Sequence, residues 1–373
     1  MGNTAISPFQ TLGGLARSVY AFGEEQALGY RHSIIPNPDL GWEISKTINL
    51  GLDFGLFNDR LTGSLELYNT NTQDLLLSRL LPITSGYQSI LQNIGATRNR
   101  GVEFSASSYV IDNKDGLRWD VSFNIFSNKE EIVELFDGQN DDVGNQWFIR
   151  QPINVFYSFQ HTGIRQSSEA DEAKLFNQAP GDIRIAELNG RDAEGNLTNL
   201  PDGSLNADDR TVLGSTVPKW GGGISNRFSY KGFDFSFLVF ARQGQMIRSD
   251  FHWLGGNSWQ GRTNMLVFDY WTPDNPSNAI PIPRGNTAPL YADAVRFLDR
   301  SFVKIRNISM GYNINKQWLH NLGFSSFRVY GTVNNAFTFS KFDVVDPETS
   351  NGIVGGNSPL TTATYVMGLS VKF

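Results

Sequence analysis

The sequence predicts an all-β fold, an antiparallel transmembrane β-barrel portion of about eleven strands, or about twelve with one more near residues 15–22. Three observations predict it. The last residues, Thr361 to Phe373, set Tyr365, Met367, Leu369, Val371 and Phe373 on one side of an extended chain and Thr364, Gly368, Ser370 and Lys372 on the other. The same alternation returns along the chain in segments of roughly ten residues, the length a tilted strand needs to cross a bilayer. The connections between these segments are short and long by turns, the pattern of a membrane barrel.

Composition fits that class and excludes others. Gly (37), Phe (27), Tyr (12) and Trp (8) are abundant while only 18% of residues are charged, which favours many strands joined by turns. A formal net charge of −6 argues against nucleic acid as a partner, since such a surface normally carries a basic stripe. With no cysteine there is neither a disulfide framework nor a thiolate metal site. No apolar run is long enough for a transmembrane helix. Met1 to Pro8 carries no basic or apolar region of a signal peptide, so an export signal is expected upstream and the chain reads as the C-terminal part of something larger.

Residues 1–40 form a loop-rich lead-in punctuated by Gly13-Gly14, Gly23, Gly29, Pro36 and Pro38, with room for one short strand near Leu15–Phe22. Barrel strands and their loops then fill 41–373. Ile48, Leu50, Leu52, Phe54 and Leu56 alternate with polar or small residues, turn at Phe57-Asn-Asp-Arg60, and return through Leu61, Gly63, Leu65 and Leu67. After a polar connection at 78–97, Val102, Phe104 and Ala106 lead to a turn at 112–116 and a return through Trp119, Val121, Phe123 and Ile125. A loop at 133–144 precedes a short strand at Gln146–Arg150, which turns at 151–152 into Val155–Ile164. A loop rich in Asp, Asn and Gly covers 165–219. The hairpin from Ile224 to Val239 turns at Lys231-Gly232, and a second very long loop covers 245–299. Strands at Phe302–Tyr312 and Phe327–Phe337 flank a turn at 313–324, and a loop at 340–360 precedes the last strand. Lys304 and Arg306 break the alternation there, which predicts a bulge or a position near lipid headgroups.

Counting back from Phe373, the turns at 313–324, 231–232, 151–152, 112–116 and 58–59 share one side. The connections at 340–360, 245–299, 165–219, 133–144 and 78–97 share the other. Soluble sandwiches mix loop lengths at both ends. In hydrocarbon every backbone amide must pair, so strands must close without an edge; about eleven strands with such long loops read as about half of a larger barrel.

Beyond pattern, the wording of the chain resembles the SusC/RagA family of TonB-dependent outer-membrane transporters. The resemblance is carried by Asn3-Thr-Ala-Ile-Ser-Pro-Phe-Gln10, Asn37-Pro-Asp-Leu-Gly-Trp-Glu43, and Leu50-Gly-Leu-Asp-Phe-Gly-Leu-Phe-Asn-Asp-Arg-Leu-Thr-Gly63. It continues in Asn93-Ile-Gly-Ala-Thr-Arg-Asn-Arg-Gly-Val-Glu103, Tyr230-Lys-Gly-Phe-Asp234, Val303-Lys-Ile-Arg-Asn-Ile-Ser-Met-Gly-Tyr312 and Val329-Tyr-Gly-Thr-Val-Asn-Asn-Ala-Phe-Thr-Phe339. It implies a barrel of about 22 strands in the Gram-negative outer membrane, surrounded by its lipid. It also implies an N-terminal plug, a SusD-like surface lipoprotein, the TonB complex as energy source, and import of oligosaccharides or peptides. The C-terminal Phe373 matches the aromatic residue read by the barrel-assembly machinery. Residues 1–373 match no plug segment, so this chain is expected not to transport alone. Two other readings stand beside it: a soluble β-rich carbohydrate-binding or adhesion module, and a plug-free passive pore.

Candidate sites are few, and no cofactor is required. Glu187, Asn189, Asp202, Asn206 and Asp209, with Gly203 at the turn, resemble an interrupted EF-hand loop that would hold a structural calcium ion; Asn, Asp and Gly are also what any solvated loop contains. Phe251, Trp253, Trp259, Trp271 and Tyr291 would offer faces to a sugar ring or a partner, or else anchor their loop to the rim. Trp42, Trp119, Trp220 and Tyr312 suit aromatic girdles. Asp53, Glu66, Asp120, Asp234 and Arg242 suit a wet interior. His32, His161, His252 and His320 stand in no metal-ligand spacing, the paired carboxylates Asp141-Asp142 and Asp208-Asp209 lie in loops, and Gly221-Gly222-Gly223 leads into a strand rather than a helix. No enzyme chemistry is expected.

Overall fold

The computed structural model describes residues 10–113, 115–136, 138, 140–252, 266–285, 287–314, 324–348, 352–355, 358 and 361–372. Nine strands make up its main antiparallel sheet: β1 (Ile44–Leu56), β2 (Leu61–Gln73), β3 (Ala96–Asp112), β4 (Arg118–Glu134), β5 (Trp220–Tyr230), β6 (Phe233–Gln243), β7 (Phe302–Asn313), β8 (Ser326–Ser340) and β9 (Thr364–Lys372). Their order in the sheet is their order in the chain. Each is linked to the next by residues 57–60, 74–95, 113–117, 135–219, 231–232, 244–301, 314–325 and 341–363 in turn, so short and long connections alternate without exception.

Two compact units divide the chain: Met1–Gly51, Glu66–Val102 and Asn128–Ile153 in one, Leu52–Leu65, Glu103–Ser127 and Asn154–Phe373 in the other. Within the second, register defines two faces. Trp119, Phe228, Phe235, Met310, Gly331 and Met367 fall in one row, and Val121, Asn226, Phe237, Ile308, Val333 and Tyr365 in the next row of the same face. Between them, on the opposite face, runs Asp120, Arg227, Ser236, Ser309, Thr332 and Val366. The apolar face is bare: Met367 is 93% exposed and Tyr365 77%. Its one polar row member, Asn226, is buried and accepts a hydrogen bond from Trp119 Nε1 at 3.1 Å. A sheet that leaves its oily side open and pairs its polar side is inverted relative to a water-soluble sandwich.

Apart from Ile132 in β4 and Phe302 in β7, the buried apolar residues among those described lie instead in the long connections. Ile164, Ile183, Ile185, Trp271, Ile280, Ala294 and Val295 form one cluster, drawn from 135–219 and 244–301; Ile247, Phe342, Val345 and Val354 form another, drawn from 244–301 and 341–363. Polar links tie the same segments, among them Trp271 Nε1 to Gln166 Oε1 (2.9 Å) and Arg284 to Asp182 (3.0 Å).

Several expected elements differ. Residues 14–34 hold a hairpin, Gly14–Phe22 with Glu25–Ile34, where the sequence suggests one strand; both strands mix polar and apolar residues on both sides, so periodicity hides the second. Gln146–Arg150 is no strand but a loop held by the isolated bridges Ile132–Ile149 and Asp142–Trp147. Val155–Ile164 splits into Val155–Phe159 and His161–Ile164, which pair with Arg210–Ser215 and Ile183–Ile185 outside the main sheet. The expected loops at 133–144 and 165–219 therefore belong to one connection, 135–219. Removing two strands together preserves parity, which is why the alternation survives the error.

Candidate functional site

The polar side chains of the chain gather on one face of the sheet and in the long connections. Across the polar face, short side chains bond strand to strand: Ser64 with Ser105 (2.8 Å), Ser107 with Ser122 (3.0 Å), Ser309 with Thr332 (3.0 Å) and Asn307 with Asn334 (2.8 Å). Of the residues expected to face water, Asp234 accepts from Arg328 at 2.6 Å and Glu66 accepts from Asn49 at 3.5 Å. Asp53 and Asp120 take the polar parity of their strands, and Arg242 lies opposite Phe302, beside the Phe240–Lys304 pair, on the polar face.

The broken alternation in β7 is a bulge. Against β6, Leu238 and Val239 pair with Asn307 and Ile305, so Arg306 is the extra residue; against β8, Ile305 and Asn307 pair with Phe337 and Asn334, so Asn335 and Ala336 stand opposite Arg306 and the irregularity runs through both strands. The bulge brings Lys304 and Arg306 together beneath the 341–363 connection. Lys304 is 1% exposed; its Nζ reaches Asp346 Oδ2 at 2.5 Å and Glu348 Oε2 at 3.3 Å, while Arg306 bonds the other Glu348 oxygen. A buried ammonium is tolerable only with such partners. Arg306 stacks over Phe240 at 3.9 Å and Arg242 approaches the same ring at 5.4 Å. The Arg242 side chain has no hydrogen bond or ion pair among the described residues. Beside it, Arg300 donates to Gln245 Oε1 at 3.2 Å, and burial followed by repulsion from Arg242 holds its pKa below the usual guanidinium range. The sequence signal for this cluster was the misplaced Lys304 and Arg306; their carboxylate partners carried none.

The loop residues Glu187, Asn189, Asp202, Asn206 and Asp209 do converge, through backbone amides. Asp209 is fully buried; its Oδ1 accepts from Leu188 N (2.7 Å) and Asn189 N (3.2 Å) and its Oδ2 from Asn206 N (2.9 Å). Glu187 accepts from Gly203 N, Asp202 from Ser204 N (2.9 Å), and Asn206 from Asp208 N (2.7 Å). Asn189 Oδ1 is enclosed and without a donor. Among the described residues no group of three or more His, Asp or Glu is placed to hold a metal ion.

Of the loop aromatics, Trp271 is 3% exposed in the first apolar cluster. Tyr291 packs edge-on to Phe159 (4.9 Å) and donates to Leu205 O (3.3 Å), and Phe251 packs against the second cluster. Trp271 is thus enclosed, and Tyr291 and Phe251 are half-buried against the two apolar clusters. Trp253, Trp259, His320 and Phe373 lie outside the described residues. Trp42 and Trp220 are exposed, and Trp119 stacks on Phe228 at 5.4 Å.

Comparison with known proteins agrees with this geometry. Residues 7–336 match the family described as TonB dependent receptor-like, beta-barrel. The chain is 32% identical over 400 residues to TonB-dependent receptor P3 of Formosa agariphila, covering 100% of this chain and 38% of that protein. It is 29% identical over 354 residues to TonB-dependent receptor SusC of Bacteroides thetaiotaomicron, covering 90% of this chain and 32% of that protein. Among solved structures it is similar to the RagAB peptide importer in its "open-open" state, with a TM-score of 0.74 and 26% identity, covering 100% of this chain and 38% of the other. The chain thus spans well under half the length of these relatives, and it belongs to the TonB-dependent receptor β-barrel family, with SusC and RagA among its relatives.

Proposed function

We propose that this chain supplies part of the lipid-embedded wall and the external loops of an outer-membrane receptor that imports a nutrient, a peptide or an oligosaccharide. One observation carries the reading. The sheet exposes a continuous apolar face and joins its strands by strictly alternating short and long connections, an arrangement suited to lipid on one side and water on the other. The RagAB relative is described as a peptide importer, which favours testing peptides first. Energy from TonB and a SusD-like lipoprotein partner are part of the proposal, as they act on the whole receptor.

The test is uptake by cells carrying the whole receptor. Labelled oligopeptides and oligosaccharides are offered with and without a functional TonB complex, and accumulation of one class only when TonB works is expected. Accumulation independent of TonB would favour a passive pore. A receptor that stays monomeric in solution without detergent would favour the soluble binding module instead.

For residues 187–209 we propose that backbone amides, and not a bound calcium ion, supply the order, since the enclosed Asn189 Oδ1 is one free oxygen where calcium takes roughly six to eight. EDTA is expected to leave the protease resistance of this segment unchanged. Increased cleavage on chelation, reversed by calcium, would establish the ion.

A further inference from the structure

Within the unit that contains the ends of β1 to β4, the apolar face does not stay apolar. Its polar counterpart is fixed by Ser45 with Thr72 (2.9 Å), Thr47 with Thr70 (2.9 Å) and Tyr68 with Asn128 (2.9 Å). Strand alternation therefore sets Ile48, Leu50, Leu67 and Val102 on the other face, all of them exposed. Arg98, Arg100, Lys129 and Glu131 share the parity of that face.

They form one cluster. Arg100 meets Glu131 Oε1 at 2.6 Å, Lys129 meets Oε2 at 3.1 Å, and Arg98 approaches Oε1 at 3.8 Å while donating to Asn71 at 3.1 Å. The Glu131 side chain is 10% exposed, whereas those of Arg98, Arg100 and Lys129 are 38%, 52% and 69% exposed. Three cations share one sheltered carboxylate, so the cluster presents excess positive charge outward. At roughly 3.3 Å per residue, Arg100 and Arg98 stand about 7 and 13 Å beyond Val102 toward the 74–95 connection. On the reading that Val102 and its exposed apolar neighbours meet acyl chains, this offset carries the cluster toward the headgroups.

We propose that Arg98, Arg100 and Lys129 bind the phosphate of a lipid headgroup in the leaflet that meets the long connections. The proposal rests on the reading that the apolar face meets lipid. Charge complementarity and continuity with the exposed apolar residues identify the occupant. β2, β3 and β4 each have sheet neighbours on both sides, so the portion of the receptor beyond this chain does not extend the sheet across them. Guanidinium groups match phosphate oxygens in planar pairs, and the flexible Lys129 adds a point charge.

The experiment uses the whole receptor in nanodiscs, with retained lipid counted by native mass spectrometry. Phosphatidylglycerol and phosphatidylcholine are supplied in equal amounts, and wild type is compared with Arg98→Gln/Lys129→Gln, which keeps the Arg100–Glu131 pair and so leaves Glu131 with a cation. Wild type is expected to retain the anionic lipid preferentially, and the double variant to lose roughly 30-fold in that preference. Millimolar inorganic phosphate should not displace the lipid. Equal retention by the variant, full displacement by free phosphate, or a second receptor copy covering the cluster would each overturn the proposal. A wild-type receptor soluble without detergent would instead defeat the functional reading on which it rests.

Discussion

Lys304 is the side chain whose surroundings are least forgiving. Both of its partners come from the 341–363 connection, and Asp346 is almost as enclosed as the ammonium itself. Lys304→Met is expected to leave Asp346 buried without its cation, at a cost of about 3–5 kcal/mol; hydrogen exchange should locate the loss in residues 341–348 and β7. Adding Asp346→Leu should recover much of it, since a dry pair can be replaced by apolar groups. His161 makes a different case. Burial holds its pKa below the ordinary imidazole value, against an opposing hydrogen bond to the Gly163 backbone, and its Nε2 has no partner. The folded state thus prefers neutral imidazole. Its contribution is complete above the unfolded pKa of about 6.5 and is lost as pH falls toward the lower folded value. Protection factors for 161–185 are expected to drop between pH 7.5 and pH 5 in wild type and to stay level in His161→Phe.

The elements that were legible in sequence are those whose period is strict. Ile48 to Leu56, Phe233 to Val239 and Tyr365 to Val371 keep one oily side for the whole strand, because the two faces of the sheet differ in polarity along its full length. What escaped notice has two solvents of the same kind or none. The hairpin at 14–34 mixes polar and apolar residues on both sides, and the short strands inside 135–219 pack into a local core where no two-residue period is imposed. Site residues were legible only as residue types: Trp271 looks like a free aromatic until the cluster around Ile183 closes over it. Turns were the easiest to read, for local reasons. Lys231 and Gly232 have φ of 47° and 90°, the two positive values of a type I′ hairpin turn. A Cβ on Gly232 would stand 2.8 Å from Asn313 O, the acceptor side of the next strand pair. Gly232→Val is therefore expected to destabilise the β5–β6 hairpin by about 1–3 kcal/mol and to lower the yield of folded receptor in detergent, judged by heat-modifiable migration. Lys231→Asn, tolerant of positive φ, should be neutral.

At the scale of the whole molecule, function depends on which side each connection faces, and that follows from counting alone. Residues 74–95, 135–219, 244–301 and 341–363 must share one side of any membrane the sheet crosses, and residues 57–60, 113–117, 231–232 and 314–325 the other. Within the second unit, the connections at 154–219, 244–301 and 341–363 carry the buried apolar clusters and the interlocking polar bonds, and so form a folded layer. An epitope tag inserted after Glu194, in an exposed turn of the 135–219 connection, is expected to bind antibody on intact cells. The same tag after Asp115, in the turn between β3 and β4, should be reached only once the outer membrane is permeabilised. Labelling of both tags on intact cells would mean that the apolar face does not lie in a bilayer. Labelling of the second alone would invert the orientation and put the long connections, with the charge cluster they cover, on the side away from the nutrient.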